Sequence, residues 1–136
     1  MKRGLLLVLL SVTLTVLLAA CGSSGGAPAA PAAGAGNIEA GKALFAQTVI
    51  GSQPGCVTCH SLNAGEILVG PSMAGIAARA GSAVAGQSAE QYLRTSILEP
   101  DSHLSEGFAE GIMQSYKDVL SETQLNDLVA YLQSLK

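Results

Sequence analysis

The feature that most restricts this chain is the run Cys56-Val57-Thr58-Cys59-His60. It places two thiols on one helical turn with an imidazole directly after them, and the rest of the fold must accommodate whatever joins the three. A chain of 136 residues supplies one compact domain for that purpose and little more. A redox-active dithiol of this spacing needs a βαβ context, which the sequence does not offer. A structural zinc site wants four ligands, usually in two paired sets, and only His103 remains as a further Cys or His outside the N-terminal region.

The N-terminus accounts for the third cysteine. Lys2 and Arg3 precede an apolar stretch from Gly4 to Ala20, interrupted by Ser11, Thr13 and Thr15 and ending in small residues. That is the layout of a secretory signal peptide over residues 1–20. Its end, Leu18-Ala19-Ala20-Cys21-Gly22, resembles the lipobox of bacterial lipoproteins, in which cleavage precedes the Cys and that residue is acylated. The alternative is an uncleaved membrane helix, for which 17 residues is the lower limit. On either reading the rest of the chain is exported and held at a membrane; the lipobox places it on the outer face of a bacterial cytoplasmic membrane. Residues 21–36 hold the lipidated Cys21 and a Gly/Ala/Pro/Ser linker with nothing in it to pack. The 15 residues after Cys21 span about 20–25 Å as a random coil and at most about 50 Å extended.

With Cys21 assigned, Cys56 and Cys59 form the C-x-x-C-H pattern of covalent haem attachment. The two thiols reach the two vinyl groups as thioethers, and His60 is placed beneath the iron. Composition agrees. Aromatics are 4% of the chain and Trp is absent, so a domain of this size has few large side chains with which to build a core. A large apolar cofactor fills that gap. Without Lys2 and Arg3, five basic residues face ten acidic ones, a balance of −5. That excludes nucleic acid, which needs clustered Lys and Arg, and favours docking on basic protein surfaces.

Around the haem motif the spacing predicts three main helices. The first runs from Asn37, as N-cap, to about Thr48. The second opens on the capping box Ser88 to Gln91, carries Tyr92, Leu93, Ser96 and Ile97 on one face, and stops before Pro100. The third opens on the capping box Ser121 to Gln124 and repeats Leu125, Leu128, Val129, Leu132 and Leu135 at helical spacing. No stretch shows strand alternation with hairpin turns, so the fold class is all-α.

In this order the elements of residues 37–136 resemble a class I cytochrome c. Gly41 and Phe45 fit the Gly-x-x-x-aromatic of the family's first helix, and Gly70-Pro71-Ser72-Met73-Ala74-Gly75 matches its Gly-Pro-x-Leu-x-Gly segment. Leu120-Ser121 through Tyr131-Leu132 matches its terminal helix. The resemblance implies one haem c wrapped by the three helices, with Gly41 letting the terminal helix pack closely near Tyr131. It also implies that His60 is the proximal ligand, its other ring nitrogen bonded to the Pro71 carbonyl, and that Met113 is the sixth ligand. The metal ligands are thus His60 and Met113.

Three side chains compete for or surround that sixth position. Met73, 13 residues after His60, stands where Leu usually packs and reads as a core filler. His103 lies in a turn-rich loop, where a lone His is commonly solvated. Gln114 replaces the Pro that normally follows the Met ligand, which leaves an open or weakly bound sixth position as an alternative. Arg79, Tyr92 and Arg94 are candidates to pair with the haem propionates; the bland alternatives are solvated arginines and a core tyrosine.

The resulting function is a tethered electron carrier, monomeric and not an enzyme, moving single electrons between redox proteins of a respiratory or photosynthetic membrane chain. The alternative is a haem-based sensor or small-ligand-binding module with an exchangeable sixth ligand. No Ser-His-Asp or paired-carboxylate arrangement in the sequence calls for a substrate.

Overall fold

The structure is a computed structural model that describes residues 35–136. The signal segment, Cys21 and the linker up to residue 34 lie outside the described residues. Helix α1, Ile38–Phe45, starts where Asn37 caps it: the Asn37 side-chain oxygen accepts from the Ala40 N–H at 3.1 Å. It ends about three residues before the predicted Thr48. The β-branched run Thr48, Val49, Ile50 loses rotamer freedom in a helix and instead enters a small ladder. Val49–Ile50 (β1) pairs antiparallel with Gln53–Pro54 (β2) across a turn in which Gly51 takes a φ of 60°. This two-residue hairpin escaped the sequence reading because it is too short to show alternation.

A 3-10 turn, Cys56–Thr58, follows directly. The Cys59 and His60 N–H groups both donate to the Cys56 carbonyl, at 3.1 and 2.9 Å, so the motif does form one helical turn. After a long loop comes α2, Ile76–Ala80, a fourth helix the periodicity did not reveal. Five residues between Gly75 and Gly81 cannot display a 3.6-residue repeat. It is anchored from outside, its Ala77 N–H donating to the Leu135 carbonyl at 3.1 Å, and it buries Ile76 and Ala80.

Helix α3, Ala89–Leu98, and helix α4, Glu122–Ser134, begin at the two predicted capping boxes, and both boxes are complete. A second 3-10 turn, Pro100–Ser102, follows α3. Helix α3 buries Tyr92, Leu93 and Ile97, and α4 buries Leu125, Leu128, Val129, Tyr131 and Leu132. Each such aliphatic side chain contributes about 1.5–3 kcal/mol relative to exposure. Among the described residues the fold is all-α apart from the small ladder, with the core between four helices.

Helices α1 and α4 hold the ends of the domain together. A Cβ on Gly41 would lie 1.9 Å from the Asp127 carbonyl oxygen and 2.8 Å from the Tyr131 Cβ, so only glycine permits this approach. The rings of Phe45 and Tyr131 then meet at 5.6 Å with a 59° tilt. Asn37 N donates to Asp127 Oδ1 at 2.7 Å. Gly36, read as linker, packs against the same turn: its Cβ would meet Asn126 O at 2.0 Å. The first residues of the domain are therefore fixed by its last helix.

Candidate functional site

The 3-10 turn projects from a segment that has no freedom to shift. Gly55 sits so close to the chain leaving α1 that a Cβ would be 1.7 Å from the Gln47 carbonyl oxygen, and its N–H donates to Thr48 O at 2.7 Å. Thr58 Oγ1 donates to Gly55 O at 2.6 Å. Cys56 and Cys59 are unpaired, and both face one large cavity. Burial pushes the Cys56 thiol up to about 11, partly offset by a backbone hydrogen bond. A thiol held protonated in this way is not the low-pKa nucleophile of a dithiol redox centre. Among the described residues no three His, Cys, Asp or Glu side chains converge, so a closed zinc shell lacks its ligands.

His60 is held from two sides. Its Nδ1 donates to the Pro71 carbonyl at 2.8 Å, which leaves Nε2 as the bare, metal-competent nitrogen. Burial holds the imidazole below its ordinary value, with the Pro71 bond acting the other way, so the ring is kept neutral. Against the ring lies Gly70, where a Cβ would be 2.5 Å from Cε1 and 2.9 Å from Nδ1. Gly70 N donates to Cys59 O at 2.9 Å and Met73 N to Ser61 O at 2.8 Å, which folds the loop back along the motif.

That loop carries its own polar clasp. Ser61 and Asn63 side chains both donate to Glu66 Oε2, the latter at 2.8 Å, and hold its carboxyl below the usual range. Ser72 Oγ donates to Asn63 O at 2.6 Å. Arg79, a candidate for the propionates, lines the cavity but directs its guanidinium to the carbonyls of Ser72, at 2.7 Å, and Ala74. It fastens α2 to the Pro71 segment. Arg94, the other candidate cation, bridges α3 to α4 through Glu122 and Asn126, both at 2.5 Å, and does not border the cavity.

The cavity measures about 830 Å³. Its size lies in the range of about 300–1,000 Å³ in which pockets enclose a cofactor-sized molecule. Phe45, Met73, Leu93, Ile97, Leu128 and Leu132 belong at once to its wall and to the core. This apolar wall, two free thiols on one turn and an imidazole with one nitrogen spare fit a large planar ring bound by thioethers and one axial nitrogen.

Both remaining methionines border the cavity. Met73 is buried on the His60 side, bonded through its backbone to Ser61, as a core filler would be. Met113 is half-buried and comes from the separate loop that follows α3. Tyr92 is buried in the wall, and His103 stacks edge-on against it at 5.7 Å. His103 is therefore exposed but not remote: it borders the same cavity. Sequence reasoning missed Gly55 and Tyr116. Tyr116 is 6% exposed, borders the cavity and donates its hydroxyl to the Pro54 carbonyl. Its only signal was an aromatic residue three positions after Met113.

Comparison with curated proteins and with solved structures gives no match. The family model described as Cytochrome c matches residues 38–136, the whole domain from the first residue of α1. The turn that carries the thiols, the cavity it opens on and this match agree: the chain belongs to the cytochrome c family, a c-type cytochrome with haem c bound through Cys56 and Cys59, whose general role is haem-based electron transfer.

Proposed function

We propose that the protein is a membrane-tethered carrier of single electrons, in which His60 and Met113 would hold the haem iron. The observation that carries this reading is that one cavity is bordered by Cys56, Cys59, His60 and Met113 together. Bound haem supplies an Fe(II)/Fe(III) couple, which His/Met ligation biases toward high potential. The chain's residues do the rest. Cys56 and Cys59 fix the ring, Pro71 orients His60 through Nδ1, and Leu93, Ile97, Leu128 and Leu132 keep water from the wall. Met113 contributes a soft thioether from the opposite loop. No nucleophile or general base is required.

Absorption spectra of the oxidised and reduced holoprotein test the ligand pair. The expected result is a low-spin spectrum with the weak far-red band of Met-ligated ferric haem and no prompt change with carbon monoxide. The Met113→Leu variant should lose that band and bind carbon monoxide. An unchanged band in this variant would remove Met113 from the iron. A second reading, an exchangeable sixth ligand for sensing, draws on His103 bordering the same cavity; prompt carbon monoxide binding by the unaltered protein would put it first.

The tether rests on the N-terminal pattern alone: a signal segment closing on Cys21, then a linker of about 20–25 Å. It suits a monomer that visits redox proteins in the same membrane, on the outer face. A Cys21→Ser variant should shift the protein from the membrane fraction into a soluble or uncleaved form. If the unaltered protein carries no acyl mass at Cys21, the lipid anchor is wrong.

A further inference from the structure

The loop that bears Met113 has Gln114 next to it, exposed, where a proline would have stiffened the chain. Its position comes from hydrogen bonds to the backbone of other elements. Ser115 Oγ donates to Leu98 O at 2.6 Å, and Tyr116 N donates to Ile97 O at 3.1 Å. Two successive residues are thereby fastened to the end of α3. The Tyr116 hydroxyl then donates to the carbonyl of Pro54, 62 residues away.

Pro54 is the last residue of β2 and stands two positions before Cys56. Tyr116 and Pro54 both border the large cavity. This one bond therefore joins its two banks, the strand that leads into the haem thiols and the loop that carries Met113. The hydroxyl is well placed to persist: burial raises it to about 12, so it remains a donor through the neutral range. The Tyr116 carbonyl also accepts from Val119 and Leu120, at 3.1 and 3.0 Å, which ties the same residue to the approach to α4.

We propose that Tyr116 is the positioning residue of the sixth-ligand loop, its hydroxyl bond to Pro54 limiting how far Met113 can withdraw from the cavity. The proposal rests on Met113 being the sixth ligand. Loss of the hydroxyl leaves a Pro54 carbonyl without its partner and frees one bank from the other. A single hydrogen bond of this kind shifts an opening equilibrium by about fivefold to tenfold.

The test compares the holoproteins of Tyr116→Phe, Met113→Leu and Val129→Ala with the unaltered protein. Phe keeps the ring that fills the wall. Val129 is buried in α4 and does not border the cavity, so its variant shows what lowered stability alone does. Two quantities are read: the carbon monoxide binding rate of the ferrous form, and the pH at which the ferric far-red band is lost. Tyr116→Phe should bind carbon monoxide about fivefold to tenfold faster and lose the band nearly one pH unit lower. Val129→Ala should match the unaltered protein in both. If Met113→Leu abolishes the band while Tyr116→Phe changes neither quantity, the ligand assignment stands and the role of Tyr116 is overturned. That role is overturned equally if Val129→Ala moves both quantities as far. A band that survives in Met113→Leu ends the ligand assignment and this proposal with it.

Discussion

The two banks of the haem cavity are built by opposite means. The His60 side is a loop that bonds to itself: Cys59 to Gly70, Ser61 to Met73, Asn63 to Ser72 and His60 to Pro71, with Arg79 closing it from α2. The Met113 side is an exposed excursion from Asp101 to Ile112. A Cβ on its positive-φ glycines Gly107 and Gly111 would meet nothing within 4 Å. Within it the hydrogen bonds are few, Gly111 N to Asp101 Oδ1 at 2.8 Å and Phe108 N to Ser105 O at 3.1 Å. Past it Ser115 and Tyr116 fasten the chain to Leu98, Ile97 and Pro54. Met113 also borders a second pocket of about 340 Å³, so it has space on more than one side. One bank is over-determined and the other adjustable. With the proposed ligand pair, that difference would hold His60 fixed and leave tuning to Met113.

A pair of glycine variants offers the strongest way to break this comparison. Gly70→Ala drives a methyl into the His60 ring and should cost about 1–3 kcal/mol while displacing the imidazole. A lowered melting temperature together with a shifted reduction potential or a loss of the low-spin spectrum is expected. Gly107→Ala, at φ 85°, meets only backbone strain of about 1–2 kcal/mol and should leave potential and spectrum unchanged. If both variants alter the spectrum alike, the banks do not differ as described.

The smallest effect sharpens the same contrast. Glu66 has its folded-state value depressed by Ser61 and Asn63, so its contribution is present above the ordinary carboxylate value. It is lost as the pH falls through the lower folded value. Glu66→Gln should therefore melt slightly below the unaltered protein near neutral pH, and the gap should close in acid. A gap constant with pH would mean that the clasp works by hydrogen bonding alone, without the charge.

What the sequence made legible follows the same division. The thiols with His60 and both capping boxes are local patterns of a few adjacent residues, while the Pro71 bond to His60 and the close approach at Gly41 were implied by the family resemblance. The interior of α3 and α4 was readable because burial repeats at helical spacing. What stayed hidden depends on distance. Nothing near Arg94 in the chain points to Glu122 and Asn126, 28 and 32 residues on, which divert it from the cavity. Nothing near Tyr116 points to Pro54. Helix α2 and the Val49 to Pro54 hairpin are too short to carry a period, and their places come from neighbours already folded.

The bond from Asn37 to Asp127 spans 90 residues of chain, and Leu128 and Leu132 of α4 form part of the cavity wall. Closing a loop of that length costs about 4 kcal/mol of chain entropy beyond a constant, and the contacts that offset it all lie in the final helix. Closure therefore waits until α4 is made. The thiols at 56 and 59 precede α4 in the chain, so they are made before the helix that supplies Leu128 and Leu132 to the cavity wall. The order of residues along the chain thereby gives covalent chemistry at those sulfurs an interval of open access, and the packing of α4 ends it.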